Sequence, residues 1–243
     1  MKLAIDLGNT LQKAAVYSGN SMVYIEKAEN ILPGLEKIFS EYSITSAIIS
    51  SVISDFDEIS DFIINHCSLL LLDTKTPVPI INLYRTPDTL GKDRLASVVA
   101  ANHLFPGENI LVVDAGSCIK YDFIDATAVY HGGAISPGLN MRFKALHTFT
   151  GKLPLISLSD DYRLIGDDTR QSVLSGVLNG TIAELEGIIG QYCSKYAKVK
   201  VILSGGDSEY LVHKLKNRIF AVPNIVLFGL KIILDHNDAI KQV

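Results

Sequence analysis

The sequence predicts an α/β protein of two similar halves, expected as domains 1–108 and 109–243, and three observations lead there. Of its 243 residues 48% are hydrophobic and 20% charged, which is enough apolar content for a core and too little charge for disorder. Apolar runs of strand length, bounded by Gly, Asn and Ser, alternate with longer stretches of helical spacing. An Asp-x-Gly turn follows such a run twice, at Asp6-Leu7-Gly8 and at Asp114-Ala115-Gly116. Each is followed by a small hydroxyl residue (Thr10, Ser117) and a lysine (Lys13, Lys120).

The elements follow in order. Residues 2–7 read as a buried strand and 11–18 as a second, with Gly8-Asn9-Thr10 turning between them, and Gly19-Asn20-Ser21 leads into a third near 22–27. Ile31, Leu35, Ile38, Phe39 and Tyr42 share a helical face over 31–42, the run 46–52 is a strand, and 55–66 is amphipathic again. Pro77, Pro79 and Pro87 make 73–90 an extended connector. The order then restarts, with strands ending at Asp114, from Ile119 to Asp125 and from Ala128 to Ile135. Helices are expected at 138–149 and 170–195, a strand at 198–204, a helix near 207–216 and an apolar helix near 225–236. Each half is thus β-β-β-α-β-α in outline. Gly176, Gly180, Gly187 and Gly190 lie on the long helix, where each costs about 1 kcal/mol relative to Ala. That cost points to close helix packing, within the fold or across a dimer.

Charge and composition exclude several classes. A net charge of -4 and a pI near 5.8 leave no basic stripe for a phosphate backbone, so nucleic acid is not an expected partner. Cys67, Cys118 and Cys193 are odd in number and widely spaced, and suggest neither a disulfide framework nor a zinc site. The N-terminus puts Asp6 and a turn where a signal peptide would be apolar, and no run reaches the ~18 apolar residues of a membrane span. A cytoplasmic protein without membrane contact is expected.

The Asp6-Leu7-Gly8-Asn9-Thr10 hairpin combines a carboxylate at a strand end, a conformationally free glycine, backbone N–H groups and a hydroxyl. Such a turn can wrap a terminal phosphate. Asp6 would hold Mg²⁺ through water, because that ion dehydrates reluctantly, and Lys13 would add positive charge. Asp, Gly and Asn also favour an ordinary hairpin turn, and the second copy at Asp114 is what favours the phosphate reading. No G-x-x-x-x-G-K-[ST] or G-x-G-x-x-G loop competes. Ser204-Gly205-Gly206-Asp207, between a strand and a helix, reads equally as an adenosine contact or as a glycine turn with Asp207 capping the helix. The six histidines show no metal spacing.

Several motifs in order make the resemblance specific: Asp6 to Thr10, Tyr84-x-x-Pro87-x-x-Leu90-Gly91-Lys92-Asp93-Arg94, Asp114-x-Gly-Ser117, Gly132-Gly133 to Pro137-Gly138, and Gly166-x-x-Thr169. Together they resemble the type III pantothenate kinases of the actin/sugar-kinase/Hsp70-like ATPase superfamily. The resemblance implies two ribonuclease H-like lobes with the active site in the cleft between them. It also implies transfer of the ATP γ-phosphoryl group to the primary hydroxyl of pantothenate, the first step of coenzyme A biosynthesis. Carried over by position, Asp93 is the proton acceptor, and Tyr84, Gly91, Lys92, Asp93, Arg94 and Thr169 bind pantothenate. ATP falls on Asp6, Leu7, Gly8, Asn9, Thr10, Leu11, Gln12, Lys13 and Ser117. A monovalent cation, K⁺ or NH₄⁺, falls on Asp114, and a homodimer is expected. Ser117 stands where the family has threonine, keeping the hydroxyl and losing a methyl group.

The chemistry of Asp93 beside Arg94 agrees with that role, since a carboxylate can accept a late-leaving alcohol proton and a guanidinium can grip a substrate carboxylate bidentately. Gly-Lys-Asp-Arg alone would equally start a helix with an acidic first turn. The competing functions are an ATP-driven switch of the same superfamily, a non-catalytic accessory or regulatory protein of the same fold, and a kinase for another small hydroxy-acid.

Overall fold

The structure is a computed structural model that describes residues 1–53 and 55–241. β1 (Lys2–Leu7), β2 (Gln12–Ser18) and β3 (Ser21–Ala28) form the expected meander, and α1 (Leu32–Glu41) leads to β4 (Ser46–Ser51). α2 (Asp57–Ile64) and β5 (Ser68–Leu71) complete a five-stranded sheet of order β3-β2-β1-β4-β5. β1 lies antiparallel to β2 and parallel to β4, which in turn lies parallel to β5. Leu3, Ala4, Ile5 and Leu7 are all buried, the continuous apolar run of a strand covered on both faces. Ile31 at the N-cap of α1 and Leu35 and Ile38 within it fall one helical turn apart and pack on one sheet face against Leu3, Ile5, Leu7, Ala14, Val16 and Ile49.

The connector 73–90 is extended as expected, with a two-residue strand, β6 (Ile81–Asn82), and a single 3₁₀ turn at Pro87–Thr89. α3 (Lys92–Leu104) follows, a helix that hydrophobic periodicity does not announce, because Arg94 to Ala101 are buried consecutively on every face.

Within the second unit, β7 (Ile110–Ala115) and β8 (Cys118–Ile124) form the matching hairpin, and β9 (Val129–Pro137), which starts in the first unit, follows. Next come α4 (Leu139–Thr148), α5 (Thr169–Lys195), β10 (Lys200–Ser204), α6 (Ser208–Val212) and β11 (Ile219–Ala221). The sheet order from β11 is β10-β7-β8-β9, followed by β6, which pairs with the start of β9 at Val129 and Tyr130. β7 is antiparallel to β8 and parallel to β10, and β10 is parallel to β11. In both sheets the third, second, first, fourth and fifth strands of the half lie side by side in that order. The duplication read from two turns is therefore a duplication of topology. The core of this unit joins Leu111, Val113 and Tyr121 to Phe143 of α4 and to Leu174, Leu178, Leu185 and Ile189 of α5. A polar clamp completes it. Tyr121 Oη donates to Glu184 Oε1 (2.9 Å), and Arg142 Nη2 donates to Glu184 Oε2 (2.6 Å) and to Ser136 Oγ (2.7 Å). Burial alone would raise the Glu184 carboxyl, but hydrogen bonds from Arg142, Ser136 and Tyr121 outweigh it and hold the group below its ordinary value.

α7 (Ile225–Ile240) corrects the expected boundary. The second unit starts at Gly107, close to the expected 109, but the stretch from Asn224 onward belongs with the first unit rather than with 109–223. The reason is a close helix crossing: a Cβ on Gly229 would lie 1.8 Å from the Ala96 carbonyl oxygen of α3, an approach open only to glycine. Phe228 adds an edge contact to His103, with centroids 5.7 Å apart.

Candidate functional site

Within the first unit, Asp6 of β1 and Lys13 of β2 are directly opposed in the antiparallel register, so both side chains leave the same face of the sheet. Between them, Gly8 brings the backbone so close that a Cβ would lie 2.9 Å from the Leu11 carbonyl oxygen. Asn9, Thr10 and Leu11 are exposed. Two residues of this segment serve the fold. Leu7 is fully buried, with its carbonyl accepting from Val52 N (3.1 Å), and Gln12 Oε1 accepts from the Ile31 N–H at the start of α1 (2.9 Å).

Gly91 is the N-cap of α3, and a Cβ there would lie 2.5 Å from Asp93 Oδ1, so glycine makes room for that carboxylate. Asp93 Oδ1 accepts from the Arg94 N–H (2.9 Å), which places an acidic group in the first turn where the helix dipole favours it. Arg94 is buried, and its guanidinium lies 5.5 Å from the centre of the Tyr84 ring. Tyr84 in turn stacks on Tyr130, with centroids 6.2 Å apart and planes at 8°. Three of the expected substrate residues, Tyr84, Asp93 and Arg94, thus form one assembly. Tyr130 belongs to it as well, and the sequence carries no signal for that beyond its place in a strand.

Within the second unit, the Asp114–Ser117 turn is walled by backbone. A Cβ on Gly138 would lie 2.0 Å from the Gly116 carbonyl oxygen, and one on Gly205, whose φ is +95°, 2.1 Å from that of Ala115. Asp207 N donates to the same Ala115 oxygen (2.9 Å). The Gly132-to-Gly138 and Ser204-to-Asp207 motifs therefore buttress the Asp114 hairpin. Asp207 occupies the N-cap of α6, but its side chain makes no capping bond, and burial pushes its carboxyl above the ordinary range. Ser117 is exposed.

Asp114 Oδ2 lies 2.7 Å from Lys120 Nζ, its directly opposed neighbour on β8. The carboxylate expected to hold a free monovalent cation already holds an ammonium, so the residues present do not fit that ion. For Mg²⁺ a single carboxylate such as Asp6 suffices, because that ion takes most ligands from phosphates and water. Among the described residues no three His, Cys, Asp or Glu side chains group as metal ligands.

Thr169 opens α5, with Asp168 as N-cap accepting from Gln171 N (2.7 Å). It lines an open depression of about 650 Å³ together with Leu146, Leu153, Gly166, Ser172 and Gly176. Gly166 is required there, since a Cβ would lie 2.3 Å from Ser172 N.

Two sheets of one strand order, each with an Asp-x-Gly hairpin at the end of its first strand, define an ATPase fold of the actin and sugar-kinase class. Solved structures share that fold. A conserved Baf-family protein from Campylobacter jejuni matches at TM-score 0.62 and 22% identity, covering 98% of this chain and 99% of that one. A Listeria monocytogenes protein described as an N-acetylmannosamine kinase matches at TM-score 0.53 and 13% identity over 97% and 99%. The chain belongs to the type III pantothenate kinase family, whose model matches residues 2–191. The type III pantothenate kinase of Bacteroides fragilis is 46% identical over 98% of this chain and 99% of its own length. Among the described residues no helix is long and apolar enough to cross a membrane.

Proposed function

We propose that this chain transfers the γ-phosphoryl group of ATP to the primary hydroxyl of pantothenate, with Asp93 as the proton acceptor. The observation that carries the assignment of residues is the Gly91–Arg94 turn, in which the Asp93 carboxylate accepts the Arg94 N–H and the buried Arg94 guanidinium lies 5.5 Å from the centre of the Tyr84 ring. Phosphoryl transfer passes through a loose transition state, so the enzyme's task is to align the hydroxyl with the γ-phosphorus and offset oxygen charge. Asp93 accepts the hydroxyl proton as the oxygen bonds to phosphorus and the bond to ADP breaks. A carboxylate suffices as the acceptor, because the alcohol proton leaves late. Arg94 meets the pantothenate carboxylate, Gly91 and Lys92 contribute to the same subsite, and Thr169 donates its hydroxyl to the substrate.

The Asp6–Lys13 hairpin receives the ATP phosphates through the backbone of Gly8 to Leu11, with Thr10 and Lys13 adding a hydroxyl and a charge. Ser117 gives the second contact. Asp6 would hold Mg²⁺ through water, and the ion when bound would offset charge on the phosphate oxygens. The same reading places the protein in the cytoplasm, in keeping with three cysteines that form no disulfide.

The protein acts as a homodimer through α5. Gly176, Gly180, Gly187 and Gly190 are exposed, recur at coiled-coil-like spacing, and have nothing within 4 Å of where a Cβ would stand. Leu164 and Ile165, 81% and 80% exposed, lie alongside, since Ser175 Oγ donates to the Leu164 carbonyl (2.6 Å). A second copy covering that face would account for both features.

The test is ADP release with ATP and Mg²⁺, with and without pantothenate, and the mass of the product. Pantothenate-dependent ADP and a phosphorylated product are expected. Folded protein that phosphorylates a different hydroxy-acid, or nothing, overturns the assignment.

A further inference from the structure

We infer that Lys120 is a built-in cation at Asp114, which makes catalysis by this chain independent of free K⁺ or NH₄⁺. The inference rests on the kinase reading above. The pair is fixed by the sheet: Asp114 and Lys120 face each other across the antiparallel β7/β8 ladder, their charged atoms are 2.7 Å apart, and less than a fifth of each side chain is exposed. Such a pair is shielded from salt more than a surface pair would be.

The reason a cation is needed there follows from charge. Asp114 ends the strand that leads into Gly116-Ser117, the turn assigned to ATP, and a bare carboxylate in that position would repel the phosphates. A free ion removes the repulsion only when it is bound. A tethered ammonium removes it at every salt concentration, and a second cation beside Nζ would be repelled by it. The lysine in turn depends on local geometry. The turn from Ala115 to Cys118 is held by Gly116 N donating to Cys118 O (3.0 Å), and the Gly138 and Gly205 backbones wall it in, so β7 and β8 stay in the register that opposes residues 114 and 120. Lys13 stands opposite Asp6 in the same way in the first hairpin, but there the lysine is assigned to the phosphates themselves.

The test measures pantothenate-dependent ADP release at constant ionic strength, with KCl, NH₄Cl, NaCl or tetramethylammonium chloride as the only salt, alongside the thermal unfolding midpoint in each. For the natural protein, equal turnover in all four salts and no midpoint shift specific to K⁺ or NH₄⁺ are expected. In Lys120→Ala, turnover in tetramethylammonium chloride falls by roughly 10²-fold, as for loss of a preorganised charge, and K⁺ or NH₄⁺ restores part of it. The same ions raise the midpoint of that variant, because they now bind the folded state. Strong K⁺ activation of the natural protein, or a K⁺-specific rise in its midpoint, overturns the inference, and that measurement stands whether or not the variant folds. If no salt supports pantothenate-dependent turnover, the functional reading fails, and the midpoints of the natural protein decide the cation question alone.

Discussion

At the residue scale, the first turn of α3 separates a chemical role from a structural one. Asp93 Oδ1 accepts the Arg94 N–H, and an asparagine at 93 would keep that acceptor while losing the basicity. Asp93→Asn is therefore expected to fold and unfold like the natural protein, while turnover falls by about 10²–10⁴. Circular dichroism and a steady-state assay check both halves, and near-normal turnover would remove Asp93 from its role. Thr169 is exposed at the mouth of the α5 depression, so Thr169→Ala is expected to raise the KM for pantothenate and leave that for ATP nearly unchanged. Equal increases in both would contradict the placement. The roles expected of Asp93 and Thr169 came from the family resemblance, while the close approaches at Gly91, Gly166 and Gly205 give a steric reason for the glycines in those motifs. Tyr130 was not legible. Its contact with Tyr84 depends on β6 pairing with β9, which no local spacing announces.

At the element scale, the packing of α3 on α7 sets the strongest steric demand. Alanine would gain about 1 kcal/mol of helix propensity at Gly229. Its Cβ would also stand 1.8 Å from the Ala96 carbonyl oxygen, and overpacking of that kind costs about 1–3 kcal/mol or more against backbone that cannot yield. The second effect wins, so Gly229→Ala is expected to lower the urea midpoint, and a midpoint at or above the natural one would show that the two helices can separate. The same crossing explains why α3 escaped periodicity. A helix buried on all sides has no exposed polar face, and Arg94 to Ala101 are buried throughout, Arg94 and Ser97 included. The central strands of both sheets and the amphipathic α1 were read closely, since each buries one face or two in a pattern its own residues display, whereas the short edge strands β5, β6 and β11 were not read.

At the scale of the whole molecule, the open glycine face of α5 becomes a statement about assembly. Light scattering is expected to report a dimer, and Gly180→Leu to report a monomer with an unchanged circular dichroism spectrum, because a Cβ there has nothing within 4 Å. A monomeric natural protein would refute this. The sequence alone determined that an order of elements repeats along the chain: repeated turns after apolar runs, helical spacing between strands, and the residue types that resemble a pantothenate kinase. That the two sheets share one strand order came from the structure. What the tertiary structure decided is which surfaces meet. It assigned α7 to the first unit, tied the Gln12 side chain to the start of α1, and set Lys120 on Asp114. Local pattern reports the conformation that neighbouring residues favour, whereas a pairing between distant segments depends on backbone approach and strand register, which are set only when the whole core packs.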